Sequence, residues 1–146
     1  MSSWRELLGA TAQAELDALL ESAVRVAKGH LAAASEFTPF AIVTDTEGRV
    51  LAVDLDFSAL GKHPEVDQVV MASLARLRLL APQIRCSARV ANTHLPKEHT
   101  DAVEVRLEHR DGAALLVLLP YKRAKFGSVV DYGQLRAFSS AAEVWR

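Results

Sequence analysis

Cysteine is nearly missing from this chain: Cys86 stands alone. An intrachain disulfide is therefore impossible, and cysteine-paired zinc-finger spacing is excluded with it. The seven glycines are scattered, and none falls in the Rossmann or Walker spacing that cradles a phosphate. No Gly-x-Ser-x-Gly elbow occurs, which removes the usual sign of an α/β-hydrolase. No sign of charge dominates: 17 Lys and Arg face 18 Asp and Glu, a net charge of −1. That balance argues against a bulk electrostatic pull toward nucleic acid or an anionic membrane. It also leaves little repulsion between copies, so self-association is expected. The longest apolar run, Ala113 to Pro120, has the length of a strand and falls far short of the roughly 20 residues that cross a bilayer. The first residues show no basic segment followed by an apolar one, so no secretory signal is read there, and a cytoplasmic protein is the default expectation.

What is present suits one globular unit. The 146 residues are 50% hydrophobic and 24% charged, enough to bury a core without staples, and residues 1–146 read as a single domain. Ser3 and Glu6 have the spacing of a capping box. From about Thr11 to Ala34, Leu16, Leu19, Leu20, Ala23, Ala27 and Leu31 form one stripe of a long helix, which Gly29 weakens toward its end. Phe40–Thr44 and Arg49–Val53 flank Asp45-Thr46-Glu47-Gly48 and predict a hairpin. His63-Pro64-Glu65-Val66-Asp67 opens a second helix, with proline at its first turn and acids near its positive end, and Pro82 stops it. Ile84, Cys86, Ala88 and Val90 alternate with Arg85, Ser87 and Arg89. Val103, Val105 and Leu107 alternate with Glu104, Arg106 and Glu108. Both runs predict strands with one wet face, whose opposite charges can meet across the pair. Ala113–Pro120 is apolar at odd and even positions alike, which predicts a central strand covered on both faces. The tail from Gln134 carries Leu135, Phe138, Val144 and Trp145 and is expected to pack on the body.

The expected fold is α+β: an antiparallel sheet of about five strands with two main helices, in the order α-β-β-α-β-β-β, followed by an irregular tail. That order, over roughly Thr11 to Tyr121, resembles profilin-like domains, including the roadblock and longin families. The resemblance implies a binding or dimerisation scaffold more often than an enzyme.

The histidines, the lone cysteine and one basic-aromatic segment are the places that offer chemistry. His94 and His99 with Glu98 or Asp101 hold the atoms of a metal site, but Pro96 between them forbids the one-turn helical spacing of a His-Glu-x-x-His motif. The competing expectation is that Asn92–Thr100 is an exposed connection between strands. His63 with Glu65 and Asp67 is accounted for by the helix start. His30 is expected to pack or cap, and His109 to be solvated beside the Arg110-Asp111-Gly112 turn. Cys86 shares its side of the strand with Ile84 and Ala88, where cysteine acts as a small apolar filler. Tyr121, Lys122, Arg123 and Lys125, with Tyr132 as an accessory, interleave rings and cations and form the favoured binding locus for an acidic or phosphate-bearing group.

The leading expectation is thus a small domain without catalysis that binds a protein partner or a copy of itself. No motif calls for a cofactor. The alternative is a metal-assisted hydrolase or small-ligand enzyme using His94, His99 and Asp101.

Overall fold

The computed structural model describes residues 9–55, 60–62, 64–124 and 129–146. Among these residues, two α-helices and an antiparallel sheet make an α+β fold. In chain order they are α1 (Ala10–Ala33), β1 (Phe40–Asp45), β2 (Val50–Ala52), α2 (Val66–Leu80), β3 (Ile84–Leu95), β4 (Thr100–His109), β5 (Ala114–Arg123), β6 (Val130–Tyr132) and β7 (Arg136–Ser139). The sheet runs β2-β1-β3-β4-β5-β6, and β7 pairs with β5 alongside β6. The expected order holds as far as β5. The sheet is larger than the five strands expected, because the tail is not wholly irregular and adds β6 and β7 to the far side of β5. No helix among the described residues is long and apolar enough to cross a membrane.

The helical stripe accounts for the first layer. Leu16, Leu19, Ala23, Ala27 and Leu31 of α1 are all essentially inaccessible. They pack on Ile42, Cys86, Ala88, Val90, Val103, Val105, Leu107, Leu115, Val117, Leu119 and Tyr121, alternate side chains on one sheet face across β1, β3, β4 and β5. Each fully buried leucine contributes about 1.5–3 kcal/mol. Gly29 does not break the helix, which continues to Ala33. The opposite sheet face carries Ala41, Val43 and Ile84, which pack on Leu74 and Leu77 of α2 and on Val144. The sheet is therefore sandwiched, with α1 on one side and α2 plus the last residues on the other.

Turn chemistry places the strands. Asp45 Oδ1 accepts the backbone N–H groups of Glu47 (2.9 Å) and Arg49 (2.8 Å), and Gly48 adopts φ +85°, which closes the β1–β2 hairpin as the sequence predicts. The Arg49 N–H is the largest influence holding the Asp45 carboxyl below its ordinary pKa. At the start of α2, the Gln68 side chain reaches back to accept the Glu65 N–H at 2.8 Å, so the helix begins at Val66 rather than at Pro64. The Ser3–Glu6 box and His63 lie outside the described residues.

Four expectations need correction. Ile84 does not share a face with Cys86 and Ala88, because the register shift between Thr44 and Asp45 turns it toward α2 while they face α1. The connection expected over Asn92–Thr100 is mostly strand: β3 runs to Leu95, β4 starts at Thr100, and residues 96–99 alone make the turn. The faces expected to be wet are largely covered. Ser87 is fully buried, Arg89 is 9% exposed and Glu108 2%, because α2 and residues 143–144 lie over them. His109, expected to be solvated, is 3% exposed, since β4 carries it under α1 beside Glu15.

Candidate functional site

Tyr121, Lys122 and Arg123 end β5, and the fold uses two of them internally. The Tyr121 ring is buried, and its hydroxyl accepts a hydrogen bond from Asn92 Nδ2 at 2.8 Å. Asn92 in turn accepts the Phe37 N–H at 2.9 Å. Burial raises the pKa of the Tyr121 phenol and of its neighbour Tyr132. Arg123 donates from Nη2 to the carbonyls of Leu31 (2.9 Å) and Ala34 (2.8 Å), so its cation sits on the negative end of α1. Lys122 is exposed and faces Asp131 across the β5–β6 register. Lys125 lies outside the described residues. Lys28 from α1 lies over the Tyr132 ring, 4.6 Å from its centre. The segment thus joins α1, β5 and β6, and among its described residues Lys122 is a cation presented outward. At this end of the helix His30 stacks on Phe37, with ring centres 5.6 Å apart, and meets Phe40 at a tilt, 5.5 Å away.

His94 and Asp101 meet across the β3–β4 ladder, Nδ1 to Oδ1 at 2.9 Å, on an open surface. His99 occupies the turn with φ +53°, a left-handed conformation uncommon outside glycine. Glu98, from the same turn, grips Arg136 with both carboxylate oxygens, at 2.5 and 3.0 Å, which holds the Glu98 carboxyl below its ordinary range. Among the described residues, no group of three or more His, Cys, Asp or Glu side chains is arranged to hold a metal ion. Cys86 is fully buried, and loss of solvation raises its thiol pKa to about 11. That is the setting of an inert filler rather than a nucleophile.

Two groupings emerge that the motif search did not single out. The first is a charged cluster under the last residues. Arg89 Nη2 bonds Glu108 (3.3 Å) and Glu143 (3.1 Å). Glu108 Oε1 accepts the backbone N–H groups of Glu143 (2.8 Å) and Val144 (2.9 Å), and Arg78 donates to the Glu143 carbonyl at 2.8 Å. The Arg89 hydrogen bond is the largest influence keeping the Glu143 carboxyl below its ordinary pKa. The sequence did signal that Arg89 and Glu108 could pair across strands. It gave no sign of the third partner, 35 residues further along the chain.

The second grouping is apolar. Leu115, Val117 and Leu119 of β5 are buried against α1, while Leu116 and Leu118, on the other face, are half-buried. In register beside Leu116 stands Phe138 of β7, 48% exposed. Glu104 and Arg106, joined at 2.9 Å, border the leucines on β4, and Arg136 borders them on β7. The central strand expected to be covered on both faces is thus covered fully on one. Its sequence carried the signal in the leucines at even positions, and the neighbour they lack is what the sequence could not name. The outer side of β7 pairs with no strand among the described residues. No protein-family model, no curated protein and no solved structure matches this chain.

Proposed function

We propose that this chain acts by associating with a copy of itself through the sheet face formed by Leu116, Leu118 and Phe138. The carrying observation is the mismatch on β5. Its residues are apolar at every position from Leu115 to Leu119, as in a strand buried on both sides, and one side stands half open. The open face adjoins a sheet edge with little protection. Edges are usually blunted by free charges or proline. β7 reads Arg-Ala-Phe-Ser, and its one cation is already held by Glu98. The border charges favour a second copy over a partner of one charge sign. Glu104 and Arg106 stand two residues apart on one strand. A two-fold axis that sets the patches face to face brings the acid of one copy opposite the base of the other. The near-zero net charge adds no repulsion.

Size-exclusion chromatography with light scattering tests this. The wild-type chain should run as a dimer. Phe138→Glu and Leu118→Asp should each give a monomer with an unchanged far-UV circular dichroism spectrum. A wild-type chain that stays monomeric at several milligrams per millilitre refutes the reading.

A further inference from the structure

Residues 140–146 lie against the sheet as a bound peptide would lie in its receptor. After Ser140, whose N–H bonds the Ala114 carbonyl, the segment adds no strand to the sheet. Its backbone is read by side chains instead. Glu108 takes the N–H groups of Glu143 and Val144, and Arg78 takes the Glu143 carbonyl. The Glu143 carboxylate meets Arg89 at 3.1 Å and Arg106 at 3.8 Å. Val144 and Trp145 pack on Ala41, Val43, Leu74, Leu77 and Ile84. Backbone reading by fixed polar groups, a charge pair for one side chain and an apolar seat for the next two are the elements of peptide recognition. The receptor groups come from β1, β3, β4 and α2, and the segment pairs with none of these strands, so its release breaks no strand pairing. Buried charges stabilise a closed fold poorly compared with apolar contacts, which fits recognition better than mere closure.

We propose that the groove between α2 and the β3–β4 hairpin is a peptide-docking site, which the chain fills with its own Glu143-Val144-Trp145, and which takes an extended segment of another protein with the same acid–aliphatic–aromatic order. Arg106 borders both this groove and the Leu116–Phe138 surface; the other groove contacts, from Arg78, Arg89 and Glu108, belong to the groove alone.

The probe is a fluorescein-labelled peptide of residues 139–146, blocked at both ends and followed by anisotropy. The receptors are the full chain and the full-length Glu143→Ala/Trp145→Ala variant, which removes two of the three resident side chains and weakens the hold on Val144. Saturable binding to the variant is expected, at least tenfold tighter than to wild type, where the resident segment competes at high effective concentration. Replacing Glu143 by Lys in the peptide should abolish binding, and added salt should weaken it. No saturation into the millimolar range, or equal binding of the Lys peptide, overturns the proposal. Hydrogen exchange on the wild-type chain decides the matter if the variant does not fold. The Glu143 and Val144 amides should exchange through local opening, far faster than those of β3 and β4, and exchange only with global unfolding overturns the proposal. A dimer that survives Phe138→Glu but is lost in the Glu143→Ala/Trp145→Ala variant would show copies exchanging segments, and would overturn assignment of the groove to a different partner.

Discussion

Replacing Arg89 by methionine should be among the most damaging single changes on the α2 side of the sheet. Methionine keeps the unbranched apolar stem of the side chain and removes the guanidinium. Glu108, 2% exposed, then loses its cation while staying under the last residues. Breaking one partner from a buried ion pair costs about 3–5 kcal/mol, because the remaining charge is left uncompensated. Glu108 retains two backbone N–H donors, at 2.8 and 2.9 Å, which places the cost near the low end, about 3 kcal/mol. The lost bond to Glu143 adds no more than about 0.5 kcal/mol, since that carboxylate is 38% exposed and retains Arg106. For a chain of this size, 3 kcal/mol corresponds to a fall in Tm of roughly 12 °C. Glu108→Leu should cost as much or more, because it strands both Arg89 and the two amides. The double variant should cost at least ~2 kcal/mol less than the sum of the two singles, since it removes the unpaired charges together. Urea denaturation followed by tryptophan fluorescence and circular dichroism gives all three values. An Arg89→Met loss below about 1 kcal/mol, or additivity within about 0.5 kcal/mol, would show that the cluster is not coupled as the geometry requires.

Two further outcomes follow from single side chains. The Cys86 thiol pKa is raised from 9.0 to about 11 by burial, so its contribution to stability is intact below pH 9 and is lost as pH rises through 11. The loss approaches 2–3 kcal/mol at about 1.4 kcal/mol per pH unit, and Cys86→Ala should flatten that part of the pH–stability curve; a native thiol that reacts rapidly with a disulfide reagent at pH 8 would contradict the burial. Arg123→Ala should destabilise the chain by about 1 kcal/mol through loss of its bonds to the Leu31 and Ala34 carbonyls, whereas Lys122→Ala should change stability by less than about 0.5 kcal/mol; equal effects in thermal melts would refute the capping role.

Local periodicity carried most of the architecture. The α1 stripe, the Asp45–Gly48 turn and the alternation of β3 and β4 each depend on neighbours within a few residues, so they are visible before folding. Alternation also separates the polar face of β3 and β4 from the apolar one. It cannot say that the polar face will be roofed, because the roof is residues 143–144, an irregular piece with no period of its own. β7 escaped notice for a related reason: four exposed residues, Arg136 to Ser139, show no apolar alternation to mark a strand. The Tyr121–Arg123 cations looked like a ligand site because the carbonyls that occupy Arg123 lie 92 and 89 residues earlier. The even-numbered leucines of β5 were legible as side chains in need of cover, and the structure leaves them half-buried.

Glu108 and His109 are consecutive residues that face opposite layers, one toward the Arg89 guanidinium and two amides, the other toward Glu15 of α1. A one-residue slip of β4 against its neighbours would push a carboxylate among the leucines of α1 and an imidazole against Arg89. The polar pair at the strand's end therefore works as a register pin: the hairpin cannot shift by one step without stranding charge on both sides of the sheet at once.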